Sequence, residues 1–154
     1  MLEGRPSAEE EKREEIKASI KPGCIIHVFC GFLENPKFKF VVVLHVDREN
    51  GLLLIFIVNS KTPPFIENDA HLKIGQVPLE KAVYTFFDHD SFLNCTEVRD
   101  GLDIDFTIDH LLKTPKDYKG ELRDAEKQKI ISFVKISQTI SDDEKALIIE
   151  SLGS

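Results

Sequence analysis

The sequence predicts an α+β domain in which a mainly antiparallel sheet or small β-barrel comes first and helices follow. Three observations predict it. Residues 38–60 hold two apolar runs flanking Arg48-Glu49-Asn50-Gly51, and Asn-Gly between β-branched runs is a strong hairpin signal. Further strand-like runs lie on both sides of that hairpin, between residues 24 and 98. After residue 107 the spacing turns helical, and strands first with helices last argue against alternating βαβ units.

The elements follow in order. Residues 8–20 are rich in Glu, Lys, Arg and Ala, with Ser7 and Glu10 placed as a capping box, and Pro22-Gly23 ends this helix. Residues 24–33 read as a strand that Gly31 bends. Both runs of the 38–60 hairpin are nearly continuous in apolar residues, so both faces of each strand should be covered. Pro63-Pro64 stops the second run. A short strand is expected at 70–74, another at 83–87, then a turn at Asp88-His89-Asp90-Ser91, a strand at 92–98 and a turn at Asp100-Gly101. Helices are expected at 107–113 with Thr107 as cap, at 123–138, and after the capping box Ser141-Asp142-Asp143-Glu144.

At 154 residues one domain is expected, burying about 70% of its unfolded surface. The division is a charged helix or arm over 1–21 and a single barrel domain with C-terminal helices over 22–154. The composition is 42% hydrophobic and 31% charged with a formal net charge of −7, which lacks the broad positive field of a dedicated DNA binder but leaves room for a local basic site. No apolar run approaches the roughly 20 residues of a membrane helix, and the charged start has no signal-peptide core, so a cytoplasmic protein without a membrane partner is expected. Cys24, Cys30 and Cys95, an odd set within apolar strands, read as buried free thiols.

Histidines 27, 45, 71, 89 and 110 lack the spacing of a zinc site, and no metal or cofactor is expected. His27 and His45, inside strands, read as structural. His89 between two carboxylates is the best-placed acid or base, although Asp and Ser are also ordinary turn residues. Lys37, Lys39 and Lys61 sit at the two open ends of the hairpin and form a local anion site if those ends share a rim; otherwise they solvate a loop or blunt an edge. A four-residue turn at 48–51 sets Lys39 directly opposite Ser60, which puts both side chains on one face.

Around this hairpin the sequence resembles the MazF/PemK-like toxin superfamily. Lys21-Pro22-Gly23-Cys24-Ile25-Ile26-His27-Val28 is similar to that family's opening strand, and Lys39-Phe40-Val41-Val42-Val43-Leu44 to its second. Asn59-Ser60-Lys61 falls where its following strand ends. The stretch from Asp90 to Val98 looks like the strand before its terminal helix, and Gly120-Glu121-Leu122 followed by Ile130, Ile131 and Val134 like that helix. The resemblance implies an SH3-like barrel, a homodimer, an antitoxin-like protein partner, and metal-independent endoribonuclease chemistry on RNA. In that chemistry an RNA 2′-hydroxyl attacks the adjacent phosphate, supported by an arginine and a threonine or serine. Here Lys39 stands at the arginine's place, Phe40 at a proline's and Asn59 at the threonine's, with Ser60 adjacent. The expected catalytic set is therefore Lys39, Ser60 and His89, with Lys37, Asn59 and Lys61 binding substrate. The alternatives are an inactive barrel module that binds a protein or nucleic acid, and a hydrolase acting through Asp88, His89 and Cys95.

Overall fold

The structure is a computed structural model describing Gly4 and residues 7–153; the remainder of the expected 1–21 arm lies outside the described residues. Its elements are α1 (Ala8–Ser19), β1 (Cys24–Cys30), β2 (Lys37–Asp47), β3 (Leu52–Asn59), α2 (Pro64–Glu67), α3 (Ala70–Ile74), β4 (Gln76–Leu79), β5 (Ser91–Asp103), α4 (Ile104–Lys113), β6 (Tyr118–Glu121), α5 (Asp124–Ile136) and α6 (Asp142–Gly153). Six strands form one sheet in the order β4-β5-β3-β2-β1-β6, antiparallel at every junction. The α+β, antiparallel expectation stands. The closed barrel does not: β4 and β6 are the two ends of that order and do not pair with each other.

Helical cover replaces closure. The strands of the hairpin send alternate residues to opposite faces. Val42, Leu44, Phe56 and Val58 pack with Ile130, Phe133 and Val134 of α5 and Ile148 and Leu152 of α6. Val41, Val43, Ile55 and Ile57 pack with Ile108 and Leu111 of α4 and Ile20 beyond α1. A sheet with both faces buried needs near-continuous apolar strands, and β2 and β3 supply them. The charged helix α1 is docked rather than free: Arg13 reaches Asp105 and Asp109 of α4, and Ile16 packs below. Its cap is as expected, with the Glu10 amide donating to Ser7 Oγ at 3.1 Å.

Local contacts overrule several sequence expectations. Residues 70–74 are a helix, because Asp69 caps it by accepting from the Leu72 amide at 3.0 Å. Residues 83–87 form turns, with the amides of Val83 and Tyr84 donating to the Glu80 carbonyl. Strand β5 continues to Asp103 through the expected turn at Gly101. A Cβ there would lie 2.6 Å from Phe32, so the glycine serves a close approach. Helix α4 then starts at Ile104 with Asp103, not Thr107, as its cap; Asp103 Oδ1 accepts from the Phe106 amide at 2.8 Å.

Candidate functional site

The site is positioned by a bulge. Near the turn, His45 pairs with Leu54 and Asp47 with Leu52, as a four-residue connection dictates. Beyond Leu44 the register slips, so Val43 pairs with Ile55 and Val41 with Ile57. Leu44 is the extra residue, and one extra residue moves every later side chain by one partner. Lys39 consequently meets Asn59 rather than Ser60: its ammonium donates to Asn59 Oδ1 at 2.9 Å.

The slip divides the expected site between two clefts at the open end of the hairpin. The first, of about 200 Å³, is lined by Lys37, Lys39, Asn59, Glu97 and Arg99. Arg99 Nη2 lies 3.2 Å from Glu97 Oε1. Burial, and then the neighbouring charge of Lys37, lower the pKa of Lys39 from its ordinary value. Lys39 is thus a half-buried cation beside Lys37, while the third cation of the cleft, Arg99, is paired with Glu97. Arg99 escaped sequence reasoning because β5 was expected to end at Val98, and Glu97, inside that strand, because nothing in the spacing linked it to the hairpin; the register Ile55 to Arg99 brings Arg99 in.

The second cleft, of about 180 Å³, takes Ser60 and His89. Its walls are aromatic: Phe40 lies 4.7 Å from the His27 ring and 4.9 Å from Phe87, and Phe38 stacks on His27 at 5.4 Å. Asp88 and Ser91 also line it, and Lys39 borders both clefts. Lys61 is exposed and lines neither. The Phe86–Phe87 wall hangs from α5 through Tyr84, whose hydroxyl donates to Glu126 and accepts from the Arg123 amide.

Behind His27 lies a cluster without a signature in sequence spacing. Asp117 is 8% exposed and receives His110 Nε2 at 2.8 Å, with His27 Nδ1 at 3.6 Å and Lys119 Nζ at 3.9 Å. His110 Nε2 also lies 3.1 Å from the His27 carbonyl, so this nitrogen carries the proton and donates toward two acceptors. The cluster ties the end of α4 to β1 just past the last residue that β6 covers. His45 is anchored separately, 2.8 Å from Ser151 of α6.

The third expected arrangement fails on burial. Cys95 is fully buried in the α5–α6 core, where desolvation raises its thiol pKa strongly, and a neutral buried thiol is not a nucleophile. All three cysteines are free and buried. Wider grooves lie elsewhere. The one of about 480 Å³ along α5 has Lys129 as its one charged lining residue, and one of about 520 Å³ beside α1 balances two lysines with two carboxylates. No helix among the described residues is long and apolar enough to cross a membrane.

Compared with known proteins, the chain matches no family model, and no curated protein matches it significantly.

Proposed function

We propose that this chain binds single-stranded RNA by its phosphates in the Lys37–Lys39–Arg99 cleft and cleaves it without a metal, as the MazF/PemK-like toxins it resembles do. One observation carries the reading: a chain with 27 acidic and 20 basic side chains gathers three cations on one concave surface, Lys39 among them half-buried. Lysine and arginine both bind phosphate, and arginine adds a planar fork.

The cleft also holds an acid–base pair. Glu97 takes the proton of an RNA 2′-hydroxyl, and the 2′-oxygen attacks the adjacent phosphorus. The bond from phosphorus to the 5′-oxygen breaks while Lys39, its pKa lowered, delivers a proton to that oxygen. Lys37 and Arg99 hold the non-bridging oxygens as charge builds. The products are a 2′,3′-cyclic phosphate and a 5′-hydroxyl. Ser60 and His89 have no part in this step. A homodimer, an antitoxin-like partner and an SH3-like ancestry of the open sheet belong to the same proposal; a clean monomer in sedimentation at micromolar concentration removes the dimer.

The test is end-labelled RNA incubated with purified protein in EDTA. Cyclic-phosphate fragments are expected, with affinity falling as salt rises at a logarithmic slope of about −2 for three contacts on a single strand. Absence of both binding and cleavage at low salt overturns the reading and leaves a protein-binding module in its place.

A further inference from the structure

The aromatic cleft is unused by the phosphate chemistry, yet it opens at the same end of the hairpin and shares Lys39 with the cation cleft. We infer that it receives one unstacked nucleobase of the bound strand and favours bases that carry an amino group, an inference that rests on the RNA reading above.

The walls suit a flat ring. Phe38, half exposed, stands at the mouth beside His27. Phe40 backs the cleft, flanked by Phe86 at 5.8 Å and Phe87 at 4.9 Å. Aromatic faces that are not sealed by their own neighbours bind bases by stacking, irrespective of sequence. The volume of about 180 Å³ is too small for a peptide segment or a second side-chain layer and suits a single heterocycle.

The rim adds discrimination. Asp88 lines the cleft and is exposed; its backbone carbonyl accepts from Lys81 Nζ at 3.2 Å, and its carboxylate takes no hydrogen bond from another described residue. A carboxylate only accepts, so it pairs with the exocyclic amine of cytosine, adenine or guanine, which uracil lacks. Ser60 and His89 line the same cleft and bring further polar groups to it. This gives Ser60 and His89, which line the same cleft as Lys39, a role in binding. The two clefts lie on opposite sides of the sheet's end, so a strand wrapping that rim presents phosphates to one and a base to the other.

The test compares a short cytidine- or adenosine-containing RNA with the same oligomer carrying uridine, with one made abasic at every position, and with free cytidine and adenosine, by titration against wild type, Phe38→Ala and Asp88→Asn. Phe38 and Asp88 are exposed, so neither variant removes core packing. Wild type should bind the base-bearing oligomer roughly five- to a hundredfold tighter than the abasic one, and Phe38→Ala should erase that margin while leaving abasic affinity unchanged. Asp88→Asn should erase the preference for cytidine and adenosine over uridine. Equal binding of the base-bearing and abasic oligomers overturns the nucleobase site and leaves the phosphate cleft standing. Binding of neither oligomer overturns both readings. Binding of free nucleosides as tightly as the oligomer, lost in Phe38→Ala, overturns the strand and assigns the pocket to a nucleoside.

Discussion

The two clefts at the open end of the hairpin are built in different ways. The cation cleft stands on ladder positions: Lys37 and Lys39 on β2, Asn59 on β3, Glu97 and Arg99 on β5. Half of the aromatic cleft stands on β1 and β2 through His27, Phe38 and Phe40, but its other wall is a run of turns held by the buried ring of Phe87, by Lys81 bonds to Asp88 and Asp90, and by the Tyr84 hydroxyl on Glu126. Ladder positions such as Lys37, Lys39, Asn59 and Arg99 are placed by cooperative backbone pairing, although Glu97 falls in the register break between Asn94 and Arg99, whereas the turn wall depends on a few side-chain contacts. The cation cleft should therefore survive damage that dismantles the aromatic one.

The sharpest way to break that contrast is Glu126→Ala. Glu126 is 2% exposed, and it accepts from both Tyr84 and Arg123, with Arg123 Nε at 2.8 Å. Removing it strands a buried phenol and should cost about 2–3 kcal/mol in urea unfolding. Affinity for an abasic oligomer, which reports the cation cleft, should stay within about twofold, on the ground that distant sites act additively. Parallel loss of both would show that the clefts are one unit. The same carboxyl sets a pH signature. Burial acts to raise its pKa, but hydrogen bonds from Arg123 and Tyr84 outweigh it, and the net shift is downward. A depressed carboxyl contributes stability above its unfolded value of about 4.3 and loses it as pH falls through the folded value. The difference in stability between wild type and Glu126→Ala should thus shrink in acid.

Lys39→Ala is the next largest and acts on the other cleft. It removes a charge-assisted phosphate contact, typically about 1.5–3 kcal/mol, and should weaken RNA binding and cleavage roughly ten- to a hundredfold. Stability should change by about 1 kcal/mol or less, because Asn59 is only half-buried and water replaces its partner. A stability loss matching the binding loss would make Lys39 a structural residue.

The hairpin itself was legible. Its turn, its two runs and the cover on both faces all follow from alternation and from Asn-Gly, and Gly51 does take the positive φ, +69°, that the turn favours. What could not be read was the bulge at Leu44. An apolar run such as Val41-Val42-Val43-Leu44 looks the same in either register when both faces are buried, since no polar residue marks the slip. The error of one position moved Ser60 to the wrong face and hid Asn59 as the partner of Lys39. The 83–87 segment failed for a related reason. Val-Tyr-Thr-Phe-Phe has strand composition, but its aromatics are buried by α5 and by each other rather than by a neighbouring strand. Asp117 and His110 meet His27 from far along the chain, and neither local spacing nor composition carries such a contact.

The smallest expected effect sharpens the cation cleft's electrostatics. The ammonium of Lys39 has a lowered pKa, first because it is buried and second because Lys37 is near. RNA phosphate binds the protonated form, so affinity should begin to fall at a pH below the ordinary lysine value of about 10.4. The linkage to stability runs the same way. Between the folded and unfolded pKa values the unfolded chain holds more protons, so this group makes the fold more stable as pH rises through that window. Lys37→Ala removes the second cause and leaves the first. The alkaline limb of RNA binding should therefore move upward in pH without reaching the free-lysine value, while affinity at neutral pH drops by less than in Lys39→Ala because Lys37 is exposed and screened. Following the Lys39 side-chain nitrogen by NMR across the same range separates this shift from the lost contact. An unmoved midpoint would mean that burial alone sets Lys39, and that Lys37 meets the strand outside the cleft.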